Sequence, residues 1–107
     1  MSTHDSFEER ALSDPDFRFG AENYDMLTKV GELLRAMRRE AGLTQQQLQD
    51  ASGVGQAYIS RAERGEMERG PSLELVTRMA HASGYSLVLS LRKQGASPES
   101  GAMMIEL

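Results

Sequence analysis

Gln45, Gln56, Ala57, Ser60, Arg61 and Arg64 carry the chemistry needed to meet the edges and phosphates of a nucleic-acid duplex. A glutamine carboxamide can pair bidentately with an adenine edge, and an alanine methyl suits the thymine methyl group. A serine hydroxyl donates or accepts, and an arginine fork reads guanine or holds a phosphate. Their spacing puts Gln56, Ala57, Ser60, Arg61 and Arg64 on one face of a helix. Thr44 and Tyr58 flank the same surface and are expected to add contacts. Competing chemistries find little support. The chain has no cysteine, which excludes disulfides, thiolate zinc sites and cysteine nucleophiles. His4 and His81 are the only histidines and lie far apart, and His81 is read as a partner for a helix C-terminus. The serines lack a His–Asp arrangement, and Gly65 and Gly70 flank an acidic turn instead of forming a phosphate loop. The sequence therefore reads as a binding protein, not an enzyme, with no metal and no cofactor.

These side chains need a scaffold. Thr44 followed three residues later by Gln47 is a capping box that opens a helix running to about Ala51. Ser52-Gly53-Val54 makes a tight turn in which Gly53 supplies a positive φ. A second helix runs from about Gly55 to Arg64 and stops at Gly65. Two short helices across a glycine turn form the helix-turn-helix layout, whose second helix enters the DNA major groove. Leu48, Val54 and Ile59 face inward and hold the pair together. Before the motif, Met26, Leu27, Val30, Leu33, Leu34 and Met37 recur at helical spacing, with Asp25 as cap and Gly42 as stop. Asp14-Pro15 opens a shorter helix, which Gly20 and Asn23 should interrupt. After the motif, Ser72 caps a helix with Leu75, Val76, Met79 and Ala80 inside, ending at Gly84.

The period then changes. In Tyr85–Leu91, Tyr85, Leu87, Leu89 and Leu91 share one face, as in a half-buried strand, and Val88 lies between them. A lone strand leaves backbone donors and acceptors unpaired. Its simplest partner is the same strand of a second copy, which predicts a homodimer; the other reading is a strand paired with an N-terminal segment. The chain of 107 residues is 39% hydrophobic and 26% charged, the profile of one small globular domain. A core of that size gains from a second protomer. The net charge of −4 is unevenly spread. Seven acidic and two basic residues leave the first 28 residues at −5, residues 29–93 carry +3, and the last 14 carry −2. A basic middle with acidic ends suits a DNA-facing core and tails with another task, although solvated surface would look similar. No run approaches a membrane span, and the start lacks a basic-then-apolar signal, so the cytoplasm is expected.

The positions Leu43-Thr44-Gln45, Leu48, Gly53-Val54, Gln56, Ile59-Ser60-Arg61, Glu63-Arg64-Gly65 and Pro71-Ser72-Leu73 resemble the Cro/C1 (Xre-like) helix-turn-helix family over about residues 28–84. The resemblance implies that Gln45 contacts phosphate and braces Gln56, and that Glu63 pairs with an arginine of the first helix, for which Arg35, Arg38 and Arg39 are available. Gln49 departs from the family, which has a small residue there. Ser52 and Ala62 are weaker than the usual large apolar residues, and Gly55 replaces the common serine cap. A helical core without a DNA role is the alternative.

The segments Gln56–Ser60, Tyr85–Leu91 and Ala96–Ser100, together with Tyr24–Gln45, resemble HipB-type antitoxins. That resemblance implies a homodimer on palindromic operators, autorepression, and neutralisation of a HipA-like serine/threonine kinase toxin by the C-terminal tail, where Ile105 and Leu107 would engage it. The stretch Leu12–Arg18 is more similar to HigA-type antitoxins, whose partners are RelE-like ribonucleases. Phe17 and Phe19, in an acidic first quarter holding four of six aromatics, would then bind the toxin; they would equally well cover the first helix. A stand-alone repressor of the Xre family is the further alternative. The expected fold is thus mostly α: a four- to five-helix Cro/C1-type domain with one C-terminal β-strand pairing across a homodimer. The expected organisation is an acidic extension with a possible short helix (1–23), the DNA-binding domain (24–84, motif 45–64), a dimerising strand (85–92) and a flexible tail (93–107).

Overall fold

A computed structural model describes the backbone of residues 15–99, 101 and 103–107, with side chains described from residue 23 onward. Expectations for residues 1–14, and for the side chains of Phe17 and Phe19, lie outside the described residues. Four helices and a two-stranded sheet follow one another: α1 (Pro15–Glu40), α2 (Gln45–Ser52), α3 (Gln56–Glu63), α4 (Leu73–Ala82), β1 (Val88–Leu91) and β2 (Met103–Glu106). The fold is mostly helical, as expected, and α2–turn–α3 is the helix-turn-helix.

Two local expectations change. The first concerns α1, which is one continuous helix, not a short helix followed by a longer one. Asp25 does not cap anything; its carboxylate pairs with Lys29 one turn on, at 2.9 Å. Asn23 does not break the helix but donates to the Glu68 carbonyl at 3.1 Å, tying the start of α1 to the loop after α3. A glycine in a helix costs about 1 kcal/mol, which tertiary contacts of this kind can override.

The second concerns which side of α1 faces inward. Leu27 and Leu34 are buried, but Leu33 and Met26 are 69% and 52% exposed. The buried stripe is Leu27, Gly31, Leu34 and Arg38, one position round from the centre of the apolar pattern. An ideal Cβ placed on Gly31 would lie 2.5 Å from the Glu63 carbonyl oxygen and 2.7 Å from that of Ala62. Backbone therefore packs on backbone where α1 crosses the end of α3. No side chain fits between them.

Leu34, Leu48, Val54, Ile59, Ala62 and Met79 form the core, with Val30, Met37, Leu43, Leu75 and Val76 packed around it. Full burial of Leu48, Ile59 and Met79 contributes about 1.5–3 kcal/mol for each side chain. Ala62 fills its place because α1 and α3 come so close there.

The C-terminal part differs most from expectation. The strand is shorter than Tyr85–Leu91, and it is not alone. β1 pairs antiparallel with β2, with Val88 opposite Glu106, Leu89 opposite Ile105, Ser90 opposite Met104 and Leu91 opposite Met103. The segment expected as a flexible tail thus supplies the missing strand, and the backbone groups of β1 no longer call for a second copy. Leu107 extends the pairing by donating its N–H to the Leu87 carbonyl at 2.8 Å. His81 at the end of α4 lies 3.1 Å from the Leu107 carbonyl oxygen. Tyr85 precedes the strand, and the hydrogen bond of its hydroxyl to Glu40 raises the phenol pKa.

Candidate nucleic-acid interface

The recognition surface rests on three local devices. Thr44 caps α2: its Oγ1 accepts from the Gln47 N–H at 3.1 Å, and the Gln47 side chain accepts the Thr44 N–H at 2.9 Å. Gly53 ends α2 at φ 77°, a left-handed conformation that lets the chain turn sharply into α3. The turn itself is held by side chains of α2. Ser52 Oγ donates to the Leu48 carbonyl at 2.6 Å and accepts from the Val54 N–H at 3.1 Å. Gln49 Oε1 accepts from the Gln56 N–H at 2.6 Å.

A buried ion pair then fixes α3 to α1. Of the three arginines available to Glu63, Arg38 is the partner. Its guanidinium grips the carboxylate in a fork, Nε to Oε2 at 2.6 Å and Nη2 to Oε1 at 2.8 Å, while Nη1 donates to the Leu43 carbonyl at 2.9 Å. Arg35 approaches to 3.6 Å and Gln45 Nε2 donates to Oε1 at 3.3 Å. Burial alone would raise the Glu63 pKa. The hydrogen bonds from Arg38 and Gln45, with the charges of Arg38 and Arg35, outweigh it and hold the carboxyl below its ordinary range. The hydrogen bond to Glu63 likewise raises the Arg38 pKa. Among the described residues, no buried side-chain nitrogen or oxygen lacks a partner.

On this base the structure assembles most of the expected contact residues. Gln45, Gln56, Ala57, Ser60, Arg61 and Arg64 line a single open concavity across α2 and α3. Gln56, Ala57, Arg61 and Arg64 are exposed, and Ser60 and Gln45 are half-buried. Arg64 also meets Glu66 at 3.2 Å, a half-exposed pair that contributes little and yields readily to a phosphate. Thr44, the exposed N-cap of α2, precedes Gln45 in the chain and does not line the concavity. Tyr58 stands apart from the concavity. It packs against the core, and its hydroxyl accepts the Ser72 N–H at 2.9 Å, so it anchors the start of α4. The implied brace between Gln45 and Gln56 is absent among the described residues: Gln45 reaches Glu63, and Gln49 holds Gln56.

Gln49 and Gly31 are the residues that sequence reasoning undervalued. Gln49 stood out only as a misfit for a close helix contact. Gly31, a glycine in a helix, carries no apolar signal at all.

A short helix whose exposed face carries glutamine, alanine and arginine, set by a glycine turn onto a rigid helical base, defines a helix-turn-helix DNA-binding regulator. The chain belongs to the HTH_3 helix-turn-helix family, of Cro/C1 type, whose model matches residues 34–89, just over half of its length. It is 41% identical over 64 residues to the uncharacterized HTH-type transcriptional regulator y4dJ of Sinorhizobium fredii, covering 60% of this chain and 80% of that protein. Two solved structures are similar. The restriction-modification controller protein C.AhdI from Aeromonas hydrophila is 34% identical, with a TM-score of 0.53, over 57% of this chain and 89% of that one. The clp gene regulator ClgR from C. glutamicum is 37% identical, with a TM-score of 0.50, over 55% of this chain and 73% of that one. The chain is thus a sequence-specific DNA-binding transcriptional regulator. No helix among the described residues is long and apolar enough to cross a membrane.

Proposed function

We propose that this regulator acts in the cytoplasm as a homodimer on a palindromic DNA site and represses its own operon. Gln56, Ala57, Ser60 and Arg61 read base edges, and Thr44, Gln45 and Arg64 hold the flanking phosphates. The gathering of Gln45, Gln56, Ala57, Ser60, Arg61 and Arg64 in one open concavity on α2 and α3 carries this reading. Two copies would set their recognition helices in successive major grooves, about 34 Å apart. The hairpin supplies the surface for the second copy. Its register gives one face made of Leu89, Leu91, Met103 and Ile105, and all but Leu89 are more than half exposed. A two-stranded sheet is marginal alone in water and gains from covering such a face.

The test is selection of a duplex from a random pool, followed by titration of single-base variants of that duplex. Gln56→Ala is expected to lose about 1–3 kcal/mol on the selected site and to relax preference at one position in each half-site. Unchanged preference removes Gln56 from the readers.

The second reading adds an antitoxin role toward a HipA-like kinase or, in the alternative, a RelE-like ribonuclease. The resemblance to HipB-type and HigA-type antitoxins and the uncovered apolar face of the hairpin favour it. Ile105 would contribute as part of that face rather than as part of a free tail, and Leu107 would do so from its place beside Leu87. Co-purification with the product of the adjoining gene, with and without residues 94–107, decides it.

A further inference from the structure

The recognition helix begins without the usual support. Its N-cap is Gly55, which has no side chain and so makes no side-chain cap bond. The oxygen that meets the start of α3 comes instead from the preceding helix, where Gln49 Oε1 accepts the Gln56 N–H at 2.6 Å. That bond differs from an ordinary cap in two ways. An N-cap side chain accepts from the second or third N–H of its own helix, whereas this one takes the first, on Gln56 itself. It also spans seven residues and joins α2 to α3 across the turn. A cap stabilises a helix end, but a bond between helices also fixes the angle between them.

The geometry points to Gln49 as the positioning residue of the recognition helix: its carboxamide tethers the backbone of Gln56 to α2 and so sets the orientation in which the Gln56 side chain meets a base pair. This rests on Gln56 as a base reader. The two departures from the family pattern, Gln49 and Gly55, become one feature. A Cβ placed on Gly55 meets nothing within 4 Å, Gln49 included, so a side chain at 55 would leave the Gln49 bond undisturbed. Gly55 itself has φ −61° and ψ 142°, a conformation any residue adopts, so glycine is not required there by backbone strain. The turn has moved its polar support from the cap position to α2, where Ser52 holds Val54 and Gln49 holds Gln56.

Three variants separate a tether from a cap. Gln49→Ala removes the acceptor. Gln49→Glu keeps an acceptor oxygen of the same reach. Gln49→Ala combined with Gly55→Ser rebuilds an ordinary cap within α3 but leaves α2 unlinked. Each is titrated against the duplex selected by the parent protein and against its variant at the position where Gln56→Ala loses preference. Gln49→Ala is expected to reduce the affinity ratio of preferred over mismatched duplex by at least roughly fivefold, the lower end of one bidentate base contact. Gln49→Glu is expected to keep that ratio, even where its charge weakens binding to both duplexes alike. The double variant is expected to recover thermal stability without recovering the ratio. An unchanged ratio in Gln49→Ala, or full recovery of it in the double variant, overturns the tether. Hydrogen exchange of the Gln56 amide gives a reading independent of DNA: protection is expected in the parent and Gln49→Glu, and its loss in Gln49→Ala. Equal protection in parent and Gln49→Ala overturns the tether even if Gln56 proves not to read bases.

Discussion

The junction of α1 with α3 and the β1–β2 hairpin are built on opposite terms. At the junction, Gly31 lets two backbones touch, and the Arg38–Glu63 fork is sealed with every buried side-chain nitrogen and oxygen satisfied among the described residues. In the hairpin, Leu91, Met103, Met104 and Ile105 stand 57–73% exposed. The first region is finished within one chain. The second has its backbone paired but its side chains uncovered. On the proposed function this division has a use: the helix proposed to meet the bases is held rigidly, while the surface proposed for a second copy stays open.

The contrast can be tested by breaking each region in turn. The largest effect belongs to the fork. Arg38→Ala removes the fork and leaves the buried Glu63 carboxylate with Arg35 at 3.6 Å and Gln45 at 3.3 Å, and is expected to cost about 3–5 kcal/mol in urea unfolding. Gly31→Ala follows. Its methyl meets carbonyl oxygens that belong to backbone and cannot swing away, so a loss of roughly 1–3 kcal/mol is expected, together with weaker operator binding as α3 shifts.

Acid tests the same junction more gently. The folded pKa of Glu63 lies below its unfolded value, so its contribution is complete above the unfolded carboxyl value of about 4.3 and fades as pH falls through the folded value. Unfolding free energies measured down to pH 3 should fall less steeply in Glu63→Gln than in the parent. The smallest effect on the fold is expected in the hairpin. Leu91→Ser should change the stability of the isolated chain by less than about 0.5 kcal/mol, yet shift the monomer–dimer balance measured by light scattering. A large loss of monomer stability would show that this face is already covered, and an unchanged balance would remove it from the dimer surface.

Much of the fold was legible because its signals are local. The Thr44–Gln47 box, the left-handed Gly53 and the Ser72 cap each involve residues a few positions apart, so helices α2, α3 and α4 could be placed from the sequence. The outward face on α3 that gathers Gln56, Ala57, Ser60, Arg61 and Arg64 followed from helical spacing alone. The misreadings share a different cause. Gly20 and Asn23 suggested a break in α1, but propensity gave way to a tertiary bond from Asn23 to Glu68. The apolar periodicity of α1 pointed one residue away from the true inner stripe, because two members of that stripe, Gly31 and Arg38, carry no hydrophobic signal. β2 was missed because Met103-Met104-Ile105 does not alternate in polarity, and a long connection, not a tight turn, joins it to β1.

The sequence by itself determined that two short helices flank a glycine turn and that one of them presents glutamine, alanine, serine and arginine outward. Periodicity and capping are properties of adjacent residues, and in α2 and α3 they agree with the contacts made by the rest of the chain. Only the tertiary structure decided which of three arginines clasps Glu63, that Gln49 holds the recognition helix, and that the C-terminal strand finds its partner within its own chain. Each of these depends on the rotation and approach of whole elements. Those are set by which side chains can be buried together, a quantity that spacing along the chain does not contain.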